Sequence, residues 1–190
     1  MKALIEKRFR EQIDNLNNLL NGTYVEELDT VANCVVKALQ NGNKILIAGN
    51  GGSAADAQHF AAELVGRFLK ERKGLPAIAL TTDGSIMTCV GNDYCFENIF
   101  SRQVEALGRE GDVFIGISTS GNSENVIRAI EVARKKGIVS IGFVGKDGGK
   151  IKSVCDYPLV VPNNTTARVQ EAQELSYHII CEIIDEKIGE

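Results

Sequence analysis

KILIAGNGGSAADAQHFAAE, residues 44–63, passes from an apolar run through a glycine-rich turn into a helix-prone segment. That order is strand, loop, helix. It gathers backbone N–H groups and the positive end of a helix dipole around one small volume, which suits a phosphate or another anion. The helix then carries His59 and Glu63 four residues apart, so both project from one face. An anion cradle and a metal-binding or acid–base pair thus come from one turn and its helix. The plainer alternative is a tight turn followed by a surface helix with two unrelated polar residues.

Beyond this unit the pattern alternates. Strands are expected at 44–48, 77–81, 112–118, 139–144 and 157–161, and helices at 53–69, 85–107, 122–136 and 166–188. The second of these helices should break near Gly91-Asn92-Asp93, and the connection after 139–144 has room for one helical turn near 151–154. Short, continuously apolar strands separated by helices indicate a parallel sheet covered on both faces. The expected fold class is therefore α/β, a three-layer doubly wound sheet of five parallel strands, with ligands bound beyond the carboxyl ends of the strands. Two helices precede it. One spans 2–20, with Leu4, Ile5, Phe9, Ile13, Leu16, Leu19 and Leu20 at helical spacing, and the other runs from Val25 to Gln40. They are more than one small sheet needs for cover, so the first packs either on its own domain or on another subunit. One domain over 1–190 is expected, with 1–42 as N-terminal helices and 43–190 as the α/β core.

The net charge of -4 gives no global basic footprint for nucleic acid. Nothing resembles a signal peptide or a run of ~20 apolar residues, so a cytoplasmic location without membrane attachment is expected. The five cysteines, Cys34, Cys89, Cys95, Cys155 and Cys181, are odd in number and form no CxxC pair. This argues against a disulfide framework or a thiolate zinc site, and most should be buried small hydrophobes.

A second loop repeats the chemistry of the first. Ser118-Thr119-Ser120-Gly121-Asn122-Ser123 sits where the apolar run Val113 to Ile117 enters a helix. A lone serine there would be a helix cap. Four hydroxyls in six residues, on the same sheet edge as the glycine loop, point instead to a phosphoryl group carried by a substrate. Neither loop fits GxxxxGK[ST] or GxGxxG, so nucleotide binding is not favoured. The last helix supplies Gln170, Glu171, Glu174 and His178, with Gln170, Glu174 and His178 along one side. The chain's two histidines thus both lie near carboxylates on helices. Such side chains suit zinc in an N/O site, or a carboxylate base and an imidazole acid moving a proton beside a carbonyl.

Taken together, GNGGSAADAQHFAAEL (49–64), VGND (90–93), GISTSGNSENVIRAI (116–130), GKDGGK (145–150) and RVQEAQELSYH (168–178) resemble the sugar isomerase (SIS) domain family, in its branch of sedoheptulose 7-phosphate isomerases. The resemblance spans essentially the whole chain. It implies a homotetramer with active sites at subunit interfaces. It also implies an aldose–ketose isomerase that interconverts sedoheptulose 7-phosphate and D-glycero-D-manno-heptose 7-phosphate, toward the heptoses of lipopolysaccharide or other surface glycans. Asn50, Gly51, Gly52 and Ser53 match the family's first substrate loop, Asn92 and Asp93 its substrate-contacting pair, and Ser118, Thr119, Ser120 and Ser123 its phosphate-binding hydroxyls. His59, Glu63, Gln170 and His178 match zinc ligands of some members, Glu63 and Gln170 also meeting substrate. Glu63 and His178 match the acid–base pair. Arg67, one helical turn beyond Glu63, matches a pocket arginine.

The chemistry implied is isomerisation through an enediol, with Glu63 and His178 exchanging protons and the order of their action open. Zinc, one per subunit, is either catalytic or structural, because a carboxylate bound to it is a weaker base. The rival from another class is a non-catalytic SIS binding module, a sugar-phosphate sensor or a tetrameric partner of a replication initiator. Such a module needs the serine loops but has no use for a His/Glu pair.

Overall fold

The computed structural model describes residues 1–188. Its strands β1 (Ile45–Gly49), β2 (Ala77–Ala79), β3 (Val113–Ser118), β4 (Val139–Gly145) and β5 (Tyr157–Val161) form one parallel sheet in the order β2-β1-β3-β4-β5. Helices α1 (Lys2–Leu20) and α2 (Tyr24–Gln40) precede it, and α3 (Gly52–Val65), α4 (Gly84–Asp93), α5 (Ser101–Leu107), α6 (Glu124–Lys135), α7 (Ile151–Val154) and α8 (Thr166–Ile188) follow. This is the expected doubly wound α/β architecture.

The strand period of two divides the core. Ile45 and Ile47 of β1, Ile115 and Ile117 of β3 and Phe143 of β4 face α2, α3 and α8. Leu46, Ala48, Phe114 and Val144, one step along each strand, face α4, α5, α6 and α7. Every residue of β1 and β3 is buried, which is why both strands read as unbroken apolar runs and not as alternation.

Three expectations need correction. The helix expected over 53–69 ends at Val65, because Gly66 turns the chain and Arg72 takes the freed carbonyls: its guanidinium donates to the backbone oxygens of Glu63 (2.8 Å) and Leu64 (2.9 Å). Edge strand β2 stops at Ala79, short of 81. Of the cysteines only Cys181 is fully buried. Cys89, on the outer side of α4, is exposed, and the other three are half-buried, all as free thiols. Helix α1 buries Leu19 against α2 and α8 but leaves Leu4, Ile5, Phe9 and Ile13 exposed. No helix among the described residues is long and apolar enough to cross a membrane.

Candidate active site

Strand β1 lies between β2 and β3, so the chain leaves it toward one side and returns on the other. Helix α3 covers one face and α6 the opposite one. The loops after β1 and β3 therefore part at their carboxyl ends, leaving the crevice where doubly wound folds bind ligands. Both candidate loops line it.

In the first loop Gly51 adopts φ 57 and ψ -121, a conformation that L side chains rarely take, and serves as the N-cap of α3. No side chain caps that helix, so its first N–H groups point at the crevice. A Cβ on Gly52 would collide with the Gln170 amide, so glycine there lets α8 approach the loop. Ser53 is buried beneath it.

The second loop also leaves its helix uncapped by any side chain. Ser123 is the N-cap of α6, yet its hydroxyl makes no cap hydrogen bond. Instead Ser123 Oγ lies 2.8 Å from Ser118 Oγ, which is 3.4 Å from Ser120 Oγ. Thr119, half-buried, sits among them. The capping alternative for these hydroxyls thus fails for Ser123. Two free helix N-termini and a cluster of hydroxyls are chemistry that can receive an anion without a fixed cation. The segment after β4 braces the loop, with Ile151 N–H donating to Gly121 O (2.9 Å) and Lys150 N–H to Asn122 Oδ1 (3.1 Å). The two loops are tied by Asn50 and the buried Asn125, whose amides exchange two 2.9 Å hydrogen bonds.

Farther along α3 the histidine cluster assembles. Glu63 Oε1 lies 3.0 Å from His59 Nε2, and the Tyr177 hydroxyl 2.9 Å from His59 Nδ1. Burial raises the Tyr177 phenol well above its usual range, and the Glu174 carboxylate adds to this, so it stays protonated. A phenol donating to Nδ1 leaves the proton on Nε2, where it points at Glu63. His178 lies with its ring centroid 5.0 Å from that of His59 and stacks on Phe68. Glu174 Oε1 is 3.6 Å from His59 Nδ1. The Asp56 carboxyl, one turn before His59, is pushed up to about 6 by burial and by the nearby Glu174, with His59 opposing.

The donor set fits a metal. One ligand atom from each of His59, Glu174 and His178 lies within 4.8 Å of the others, the only such group among the described residues. Two imidazoles and a carboxylate suit a borderline divalent cation, and three protein ligands with a fourth position open is the usual catalytic zinc arrangement. Asp56 Oδ2, buried and without a hydrogen-bond partner, is a carboxylate oxygen that a nearby cation would offset.

Other expected residues have partners of their own. Arg67 lies beyond the end of α3, not one turn along it, and pairs with Glu71 at 3.7 Å in solvent. Asn92 and Asp93, at the exposed end of α4, bond to each other at 2.8 Å. Three contributors carried no sequence signal. Asn125 is a single amide, Tyr177 reads as core, and Asp185 is distant in sequence from the Arg72 it holds at 2.7 Å. Glu174 did carry one, through its position between Gln170 and His178.

This crevice, with two free helix N-termini at one end and a His/Glu cluster at the other, fits an enzyme of the doubly wound class that acts on an anionic substrate. The SIS domain profile matches residues 8–145. A phosphoheptose isomerase of Clostridium acetobutylicum is 51% identical over 189 residues, covering 99% of this chain and 96% of that protein. Solved phosphoheptose isomerases from Neisseria gonorrhoeae (TM-score 0.91, 46% identity, 97% and 98% of the two chains) and Francisella tularensis (TM-score 0.93, 39% identity, 98% and 100%) share the fold. The chain belongs to the SIS domain family, in its phosphoheptose isomerase branch.

Proposed function

We propose that the protein is an aldose–ketose isomerase that converts sedoheptulose 7-phosphate to D-glycero-D-manno-heptose 7-phosphate. The observation that carries this reading is the spacing of the two ends of the crevice. From Gly52 at the anion site to His59 is seven residues of α3, about 10 Å at 1.5 Å per residue. That separation suits a substrate whose carbonyl lies several carbons from its phosphate.

The uncapped N-termini of α3 and α6, with Ser53, Ser118, Thr119, Ser120 and Ser123, hold the phosphate, and Asn50, Gly51, Gly52 and Gln170 hold the chain near it. Their binding energy fixes the far end of the sugar against the catalytic pair. Glu63 removes the proton from C1 of the ketose and returns it to C2. His178 moves the hydroxyl proton from O1 to O2, so the product is an isomer and no oxidant is needed. His59 Nε2–H steadies one Glu63 oxygen and leaves the other for the substrate. Zinc, drawn from among His59, Glu63, Gln170, Glu174 and His178, would polarise the carbonyl and stabilise the enediolate oxygen.

We further propose one domain over 1–190, acting in the cytoplasm as a homotetramer with active sites at subunit interfaces. The exposed Leu4, Ile5, Phe9 and Ile13 of α1 support this assembly. So does an apolar groove of about 220 Å³ lined by Leu20, Val25, Leu28, Leu175 and Ile179, since it runs along α8, which carries His178. Arg67, exposed beside Glu71, and Asn92 and Asp93, exposed at the end of α4, would then serve a site completed across the interface.

The test is to incubate purified protein with a panel of ketose phosphates and follow aldose phosphate formation. Seven-carbon ketose 7-phosphate should be converted fastest, and Glu63→Gln should lose nearly all turnover while still binding phosphate. Faster turnover of a pentose or hexose phosphate would reassign the substrate, and turnover in Glu63→Gln within a few-fold of the parent would remove the base.

A further inference from the structure

We propose that Asn15 of α1 and Asn163, in the segment between β5 and α8, act as one positioning unit that sets the two phosphate loops against each other. The inference rests on the reading of those loops as the phosphate site.

Helix α1 buries only Asn15 and Leu19 of its 19 residues. An amide is a costly choice for one of two buried positions. Asparagine disfavours a helix interior, and its burial is unfavourable unless its hydrogen bonds are made. Here both ends of the amide are used. Asn15 Nδ2 donates to Arg168 O (3.2 Å) and to Gln12 Oε1 (3.2 Å), and Asn15 Oδ1 accepts from Asn163 Nδ2 (3.1 Å).

The two ends lead to different loops. Arg168 lies in the first turn of α8, two residues before Gln170, whose amide lies against Gly52 of the glycine loop. Asn163 leads to the serine loop. Its backbone oxygen accepts from the Lys146 N–H (3.3 Å), and a Cβ on the adjacent Gly145 would fall 2.5 Å from Thr119 O. Lys146 has φ 57, a left-handed conformation that lysine adopts at a cost and that its surroundings must hold. Asn163 is fixed in turn, since its Oδ1 accepts from the Thr165 N–H (2.8 Å) and its own N–H donates to Val161 O (2.8 Å). One buried side chain of α1 thereby ties the start of α8 to the segment after β4, and through them the glycine loop to the serine loop. Hydrogen bonds to a phosphate depend on the spacing of donors from both loops, so loss of the tie should act on binding more than on proton transfer.

The test compares full-length Asn15→Ala, Asn163→Ala and the double variant with the parent. The readouts are kcat and KM for sedoheptulose 7-phosphate, the Kd of inorganic phosphate by phosphorus NMR, and the urea midpoint. Each single change should raise KM and the phosphate Kd by about five- to tenfold while kcat stays within about threefold. The double variant should bind no worse than the weaker single one, because the two residues act together. Leu19→Ala, at the other buried position of α1, should lower the urea midpoint yet leave KM and Kd within about twofold. Unchanged constants in both asparagine variants, effects that multiply in the double, or an equal loss of phosphate binding in Leu19→Ala would each overturn the inference. A phosphate Kd that Ser123→Ala leaves unchanged would overturn the phosphate site itself, and this inference with it. If sedoheptulose 7-phosphate is not turned over, the isomerase reading fails while the phosphate constants still decide this one.

Discussion

Asn50 and Asn125 face each other across the crevice, each amide donating to the other's oxygen at 2.9 Å. The pair locks the glycine loop after β1 to the first turn of α6, and so sets the distance between the two free helix N-termini. Asn125→Ala should cost about 1–3 kcal/mol of stability, because it leaves the Asn50 amide unpaired in a partly buried place. Asn125→Asp should cost less, since Asn50 can still donate to it, but should raise KM for the sugar phosphate more, since it sets a negative charge beside the anion site. Urea midpoints and steady-state kinetics on both variants check this. An Asp variant with unchanged KM would show that the pair is remote from the phosphate.

Ser123 stands at the N-cap of α6 without capping it. Ser123→Ala should therefore leave the unfolding midpoint nearly unchanged, where loss of a working cap costs typically ~1 kcal/mol. It should weaken phosphate binding by about 1.5–3 kcal/mol, which is more than tenfold in KM or in the inhibition constant of inorganic phosphate. The reverse pattern, a lower midpoint with an intact KM, would return the residue to a capping role.

The sheet is legible because its central strands β1 and β3 are buried on both faces and the loops after them are dense in glycine and serine. The histidine cluster was only partly so. Spacing of four residues along a helix identifies which side chains share a face, and it found His59 with Glu63 and Glu174 with His178. It does not say how two helices more than a hundred residues apart are rotated against each other, and that rotation decides which carboxylate meets both imidazoles. Resemblance to the family favoured Glu63 and Gln170 as ligands, while the geometry groups Glu174 with the histidines. Arg67 leaves the helix face for a different reason: α3 does not continue through Gly66, and the Arg72 that ends it finds its partner only in the folded chain.

That partner, Asp185, accepts the Arg72 guanidinium at 2.7 Å and the backbone N–H groups of Leu69 (2.7 Å) and Lys70 (2.9 Å). Burial alone would raise its carboxyl, but these donors hold it below the usual range. Arg72→Ala should destabilise the protein by about 3–5 kcal/mol, because the Asp185 charge remains buried without its partner. A depressed acid contributes stability that is present above its unfolded value and lost as pH falls through the folded one. The Arg72→Ala deficit should accordingly shrink in strongly acidic solution. A deficit below 1 kcal/mol by urea unfolding at neutral pH would mean that the end of α3 is held by other contacts.

Asp56 has the opposite sign. Its carboxyl is raised from 3.8 to about 6 by burial first and the Glu174 charge second. A raised acid binds its proton more tightly in the folded state, so its contribution to stability is full below pH 4 and is lost as pH rises through 6. Metal-free Asp56→Asn should be more stable than the metal-free parent at pH 8 by about 1–3 kcal/mol, the two curves converging near pH 4. Zinc bound at the neighbouring histidines would offset the same charge, so the gain should shrink when the parent and the variant are both saturated with metal. Urea unfolding at pH 4, 6 and 8, with and without zinc, measures all of this. A gain that is the same at every pH would mean that Asp56 acts through packing and not through its charge.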